Sequence, residues 1–78
     1  MIRAYVLIQL ESVDPSKAAK DITSIDEVEN AHLTEGEYDI IAIVKTKNLV
    51  QLKELALEKI AKVRGVVKTS SLIVADES

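Results

Sequence analysis

Hydrophobic and polar residues alternate over residues 1–10. Ile2, Ala4, Val6, Ile8 and Leu10 share one face, and Arg3, Tyr5, Leu7 and Gln9 share the other. A period of two predicts a strand, because successive side chains point to opposite faces. The period then changes. Asp14 before Pro15 is a helix start: an acceptor side chain, then a proline whose missing N–H would have no intrahelical partner. Ala18, Ile22 and Ile25 fall on one stripe after it, which predicts a helix over residues 15–24. Residues 27–34, EVENAHLT, predict a short polar strand at a sheet edge. Gly36 ends it, and YDIIAIV, residues 38–44, is apolar on both faces over most of its length, as a central strand is. Leu49, Leu52, Ala56, Ile60 and Val63, with Leu55 beside them, form the stripe of a longer second helix. Lys53, Glu54, Glu58, Lys59 and Lys62 lie largely opposite and predict its solvent face. Gly65 stands where left-handed backbone ends a helix, and residues 66–75 predict the last strand.

The order β-α-β-β-α-β predicts one α+β domain over residues 1–78, a ferredoxin-like sandwich. Right-handed crossovers put both helices on one face of a four-stranded antiparallel sheet with strand order 4-1-3-2. The uncovered face should then be polar in a monomer. It is not. Strand one offers Tyr5 and Leu7 opposite Val6 and Ile8, and strand three offers Ile41 and Ile43 opposite Ile40 and Val44. In strand four, Val67 and Ile73 stand opposite Leu72 and Val74. An open patch on the order of several hundred Å² is more than soluble monomers usually carry. The expectation is a homodimer of the dimeric α/β-barrel type, sheets face to face and helices outside; the alternative is a monomer with an unusually apolar sheet.

Composition narrows the chemistry. A chain of 78 residues has a marginal core, burying only about 60% of its unfolded surface. Cysteine is absent and His32 is the single histidine, so disulfides, thiolate sites and multi-histidine metal sites are excluded. Oligomerisation remains as the stabilising route. The net charge of −3 argues against nucleic-acid binding by this chain, because phosphate contacts call for a basic face. No apolar run reaches the roughly 18–20 residues that span a bilayer, and MIRAYVLIQL lacks a signal-peptide cleavage site. A soluble cytoplasmic protein is the expectation, with no membrane partner.

Three short segments carry a family resemblance: RAYVLI at residues 3–8, GEYD at 36–39 and RGVVKTSSLIV at 64–74. At these spacings the chain resembles the effector-binding domain of the Lrp/AsnC transcriptional regulators over essentially its whole length. GEYD is similar to that family's glycine–x–aromatic–aspartate turn, and the last segment to its Gly-Val…Thr-x-Thr strand, with Ser71 in place of the second threonine. Val63 and Arg64 stand before Gly65, where a Leu/Ile-Pro pair is common in the family. The resemblance implies a version without the usual helix-turn-helix. It also implies sheet-to-sheet dimers assembled into rings such as octamers or decamers, and a small effector, typically an amino acid, in clefts between dimers. Co-assembly with full-length Lrp/AsnC regulators follows from the shared dimer surface. The resemblance brings the GEYD turn and the last strand together at the effector cleft.

An amino acid needs oxygen acceptors for its ammonium and N–H or hydroxyl donors for its carboxylate. Asp39 offers the first, turn amides near Gly36 the second, and Thr69, Ser70 and Ser71 offer hydroxyls; Tyr38 is a candidate wall. Each has a structural reading too. Gly36 suits a hairpin, Asp39 can cap the turn or pair with a lysine, and residues 69–71 are good strand formers. His32 has no recognisable catalytic partner, and no convergent acid, base or cofactor motif is present. The expected function is therefore a non-enzymatic, effector-binding regulatory module with no cofactor. The alternatives are a small dimeric α/β-barrel enzyme, an ACT-like amino acid sensor that pairs sheets side by side, and a ligand-free scaffold.

Overall fold

Strand β1 (Ile2–Leu10) lies at the centre of the molecule. In the computed structural model, which describes residues 1–74, β1 pairs antiparallel with β3 (Ile40–Thr46) on one side and β4 (Val66–Ile73) on the other. Strand β2 (Val28–Leu33) pairs with β3, and the sheet order is β2-β3-β1-β4. That is the expected order. Helix α1 (Pro15–Thr23) links β1 to β2, and α2 (Leu49–Glu54) with a π-helical continuation (Leu55–Ile60) links β3 to β4.

The strand parity assigns each residue to a face. Ala4, Val6 and Ile8 of β1 and Ile40, Ala42 and Val44 of β3 are fully buried beneath the helices. Ala18 and Ile22 of α1 meet them, as do Leu52, Leu55 and Ile60 from the second helix. Each large aliphatic side chain buried this way stabilises the fold by about 1.5–3 kcal/mol. The other parity, Tyr5, Leu7, Ile41, Ile43 and Leu72, stays on the uncovered face.

Caps set the helix starts. The Asp14 carboxylate accepts from Ser16 N–H at 3.1 Å, with Pro15 at the first helical position. Asn48 accepts from Gln51 N–H at 2.8 Å, while the Gln51 side chain accepts from Lys47 N–H at 2.6 Å. This reciprocal cap is a variant of the N-x-x-Q signature. Gly65 closes the second helical region with φ +93°. A Cβ there would meet the Val13 side chain, its Cβ at 2.6 Å, so the close approach itself calls for glycine.

Several details differ from expectation. Strand β3 begins at Ile40, two residues late, because Tyr38 and Asp39 belong to the turn; it runs on to Thr46 because Lys45 and Thr46 pair with Arg3 and Ile2. Leu49, placed in the core stripe by periodicity, is 55% exposed. The second helix widens after Glu54: Ala61 N–H reaches the carbonyl of Ala56, five residues back, at 3.0 Å. In an α-helix Leu55 and Ile60 would point about 140° apart. The wider turn lets both enter the core, where each is at most 1% exposed. It also leaves Lys59 outside to bridge to Glu27 at 2.9 Å. Of the expected last strand, Ala75 lies outside the described residues.

Candidate functional site

The turn between β2 and β3 meets the end of β1. Ile8 and Ile40 are the last partners in the β1–β3 ladder, so no β3 carbonyl stands opposite Leu10 N–H. The Asp39 side chain takes that role: Oδ2 accepts from Leu10 N–H at 2.8 Å. Its backbone is held as well, its N–H donating to the Ile8 carbonyl at 2.9 Å and its carbonyl accepting from Thr34 N–H at 2.9 Å. An acidic residue thus stands at the mouth of a buried strand because it completes the end of the β1–β3 ladder. Oδ1 has no hydrogen-bond partner among the described residues.

Around it the turn is tied down by side chains. Thr34 Oγ1 donates to the Tyr38 carbonyl at 2.8 Å, and Gln9 Nε2 donates to the Glu37 carbonyl at 2.9 Å. Lys68 Nζ lies 5.8 Å from the Tyr38 ring centroid, a cation–π distance. Gly36 has φ +118° and open space beside its Cα. Its backbone is exposed for contact, and its conformation disfavours any side chain.

The hydroxyl-bearing strand divides. Ser70 sits opposite Leu7 and shares the uncovered face with Lys68, opposite Gln9. Thr69 and Ser71 have the opposite parity and line a groove of about 350 Å³ between β4 and the second helix. Within one subunit, then, Gly36, Tyr38 and Asp39 group with Lys68, while Thr69 and Ser71 lie on the other side of the sheet. Gln9 and Lys68 were missed in the sequence because only the cross-strand register brings them to the GEYD turn. The groove was missed because Leu49, one of its walls, fits the core stripe by periodicity.

Away from the turn, the Glu27 carboxylate is held below its usual range, chiefly by the hydrogen bond from Lys59 and then by its own backbone N–H. No group of three or more His, Cys, Asp or Glu that could hold a metal occurs among the described residues, and none of their helices is long and apolar enough to cross a membrane.

The sequence profile of the Lrp/AsnC ligand binding domain matches residues 3–78. The chain belongs to the Lrp/AsnC family. The HTH-type transcriptional regulator LysM of Saccharolobus solfataricus is 35% identical over 74 residues, which cover 94% of this chain and 51% of LysM. The chain spans about half the length of the curated relatives it matches. In structure, TTHA0845 from Thermus thermophilus superposes with TM-score 0.91 at 26% identity, covering 100% of this chain and 98% of that one. The feast or famine regulatory protein of M. tuberculosis in complex with L-methionine is 28% identical, with TM-score 0.81, over 99% of this chain and 52% of that one. The ferredoxin-like fold is that of Lrp/AsnC ligand-binding domains, and the relatives are transcriptional regulators.

Proposed function

We propose that this Lrp/AsnC domain is a non-enzymatic regulatory module that binds a small effector, most simply an amino acid, as a sheet-to-sheet homodimer assembled into a ring. The observation that carries the reading is the match of residues 3–78 to a ligand-binding domain whose M. tuberculosis relative holds L-methionine. The uncovered sheet face supports the pairing: Tyr5 is 38% and Leu72 53% exposed, with half-buried Leu7, Ile41 and Ile43 beside them. In this reading Asp39 Oδ1 receives the effector ammonium beside Gly36 and Tyr38. The hydroxyl donors are Ser70 on the same face, and Thr69 and Ser71 of a neighbouring subunit, because one subunit keeps those two apart. DNA contact is left to full-length regulators that share the pairing surface, in keeping with the net charge of −3. The setting is cytoplasmic.

Calorimetric titration with each proteinogenic amino acid, alongside sedimentation, tests this. Saturable binding of one or a few by an oligomer is the expected result. A single-subunit species that binds none of them would overturn it.

A further inference from the structure

Two aliphatic side chains stand among the charges on the outer side of the second helix. Val50 is 67% and Leu57 53% exposed, and with Lys53, Glu54 and Glu58 they border a shallow depression lined by this helix alone. Leu49 and Ile73, also half exposed, continue the apolar surface toward β4. This flank lies on the helix side of the sheet, away from Tyr5 and Leu72 on the uncovered face. A purely solvated helix face has no need of such a cluster, and exposed apolar residues gathered in one place mark a contact surface. Lys53, Glu54 and Glu58 make no ion pair among the described residues, whose ion pairs are Arg3–Glu29 and Lys59–Glu27.

We propose that this face is a contact between copies of the chain, in which two second helices pair antiparallel about a two-fold axis passing between Lys53 and Glu54. Spacing and charge select a second copy as the occupant. Val50 and Leu57 each lie about 5 Å along the helix from that point, so the axis brings Val50 level with the partner's Leu57, twice over. It also brings Lys53 level with the partner's Glu54, twice over, so the face is complementary to itself in charge as well as in apolar surface. A parallel pairing would set Lys53 against Lys53 and Glu54 against Glu54. A membrane surface fits less well, because anionic headgroups attract basic residues and this face carries two acids to one base. The contact is small beside a stable interface, which takes about 800 Å² from each partner. It therefore holds where subunits are already joined through their sheets and meet it more than once. Two alternating two-fold contacts on opposite sides of a subunit link dimers into a closed ring or an open chain. The ring rests on the sheet pairing proposed above; the register of the helix contact does not.

Disulfide trapping tests the register in a chain that has no cysteine of its own. Val50→Cys and Leu57→Cys chains, mixed and oxidised, should link to each other several times faster than either links to itself. Two sulfurs at position 50 would stand about 10 Å apart along the helices, beyond the roughly 7 Å that a disulfide spans. The mixed link should also form, more slowly, when both chains carry Leu72→Glu, which removes the sheet pairing. Sedimentation supplies the second readout. Leu57→Glu should stop assembly at the sheet-paired dimer, twice the 8.6 kDa of one subunit. Lys53→Glu should weaken association beyond the dimer at least about tenfold, and adding Glu54→Lys should restore it to within about threefold. Equal linking in all three cysteine combinations would overturn the proposal. So would wild-type assembly in Leu57→Glu, or no recovery in the double charge reversal. A mixed link in a wild type that otherwise sediments as one subunit would uphold the helix contact and refute the sheet pairing, so the two readings fail separately.

Discussion

Asp39 Oδ2 accepts a hydrogen bond from the backbone N–H of Leu10 at 2.8 Å, at the point where the β1–β3 ladder runs out of backbone partners. One carboxylate oxygen therefore serves the sheet, and the other has no hydrogen-bond partner among the described residues. Structure and binding can be separated by substitution. Asp39→Asn keeps an oxygen acceptor for Leu10 and should unfold within about 0.5 kcal/mol of wild type, whereas Asp39→Ala should lose about 1–2 kcal/mol. Both should weaken amino acid binding at least about tenfold, since neither carries the charge that an ammonium requires. Urea unfolding and calorimetry on the same samples check the pair; unchanged affinity in Asp39→Asn would remove the ligand role.

The proposed pairing of sheets would cover Tyr5 and Leu72, neighbours across β1 and β4. Leu72→Glu places a charge where a second sheet would lie, and costs little in a lone subunit because the position is 53% exposed. The variant should keep its helical and strand spectrum and sediment near the single-subunit mass of 8.6 kDa, while the wild type sediments as a multiple of it. A wild type that already sediments as one subunit would refute the pairing.

Gly65 combines φ +93° with contact against the Val13 side chain. Gly65→Ala adds a Cβ into that contact and forces a residue with a side chain into left-handed backbone. The expected loss is about 1–3 kcal/mol by denaturant midpoint. Gly36→Ala has open space beside it, so its cost should come from backbone conformation alone and be the smaller of the two.

Glu27 and Lys59 join the start of β2 to the π-helical segment at 2.9 Å. The Glu27 carboxylate is lowered from its ordinary value of 4.5 by this contact first and its own backbone N–H next. A group with a lowered folded pKa contributes stability above its unfolded value and loses it as pH falls through the folded one. Lys59→Met should therefore flatten part of the wild-type stability loss below about pH 5 and change little below the folded pKa. The effect should stay under about 1 kcal/mol, because Lys59 is half exposed and screened by water. Urea midpoints across the acid range, at low and high salt, measure it.

The candidate site was only half legible. GEYD marked the turn, because glycine and aspartate before a buried run have few other uses. Which side of the sheet each hydroxyl of TSS would face follows from counting, yet the groove beneath Thr69 and Ser71 does not. It depends on how the second helix stands over β4, and that helix has a widened turn at residues 55–60. Nothing in LALEKI announces such a turn, since Ala56 and Ile60 already fit an α-helical stripe.

Element order, sheet order and the excess of apolar residues on both faces of β1 and β3 were determined along the chain itself, because side-chain parity and turn residues are local properties. The tertiary structure alone decided that Asp39 closes on Leu10, that Lys68 reaches Tyr38, and that Leu49 is left outside the core. Each of these depends on strand register and helix-to-sheet spacing, which arise only when distant segments pack and every buried N–H must find its partner.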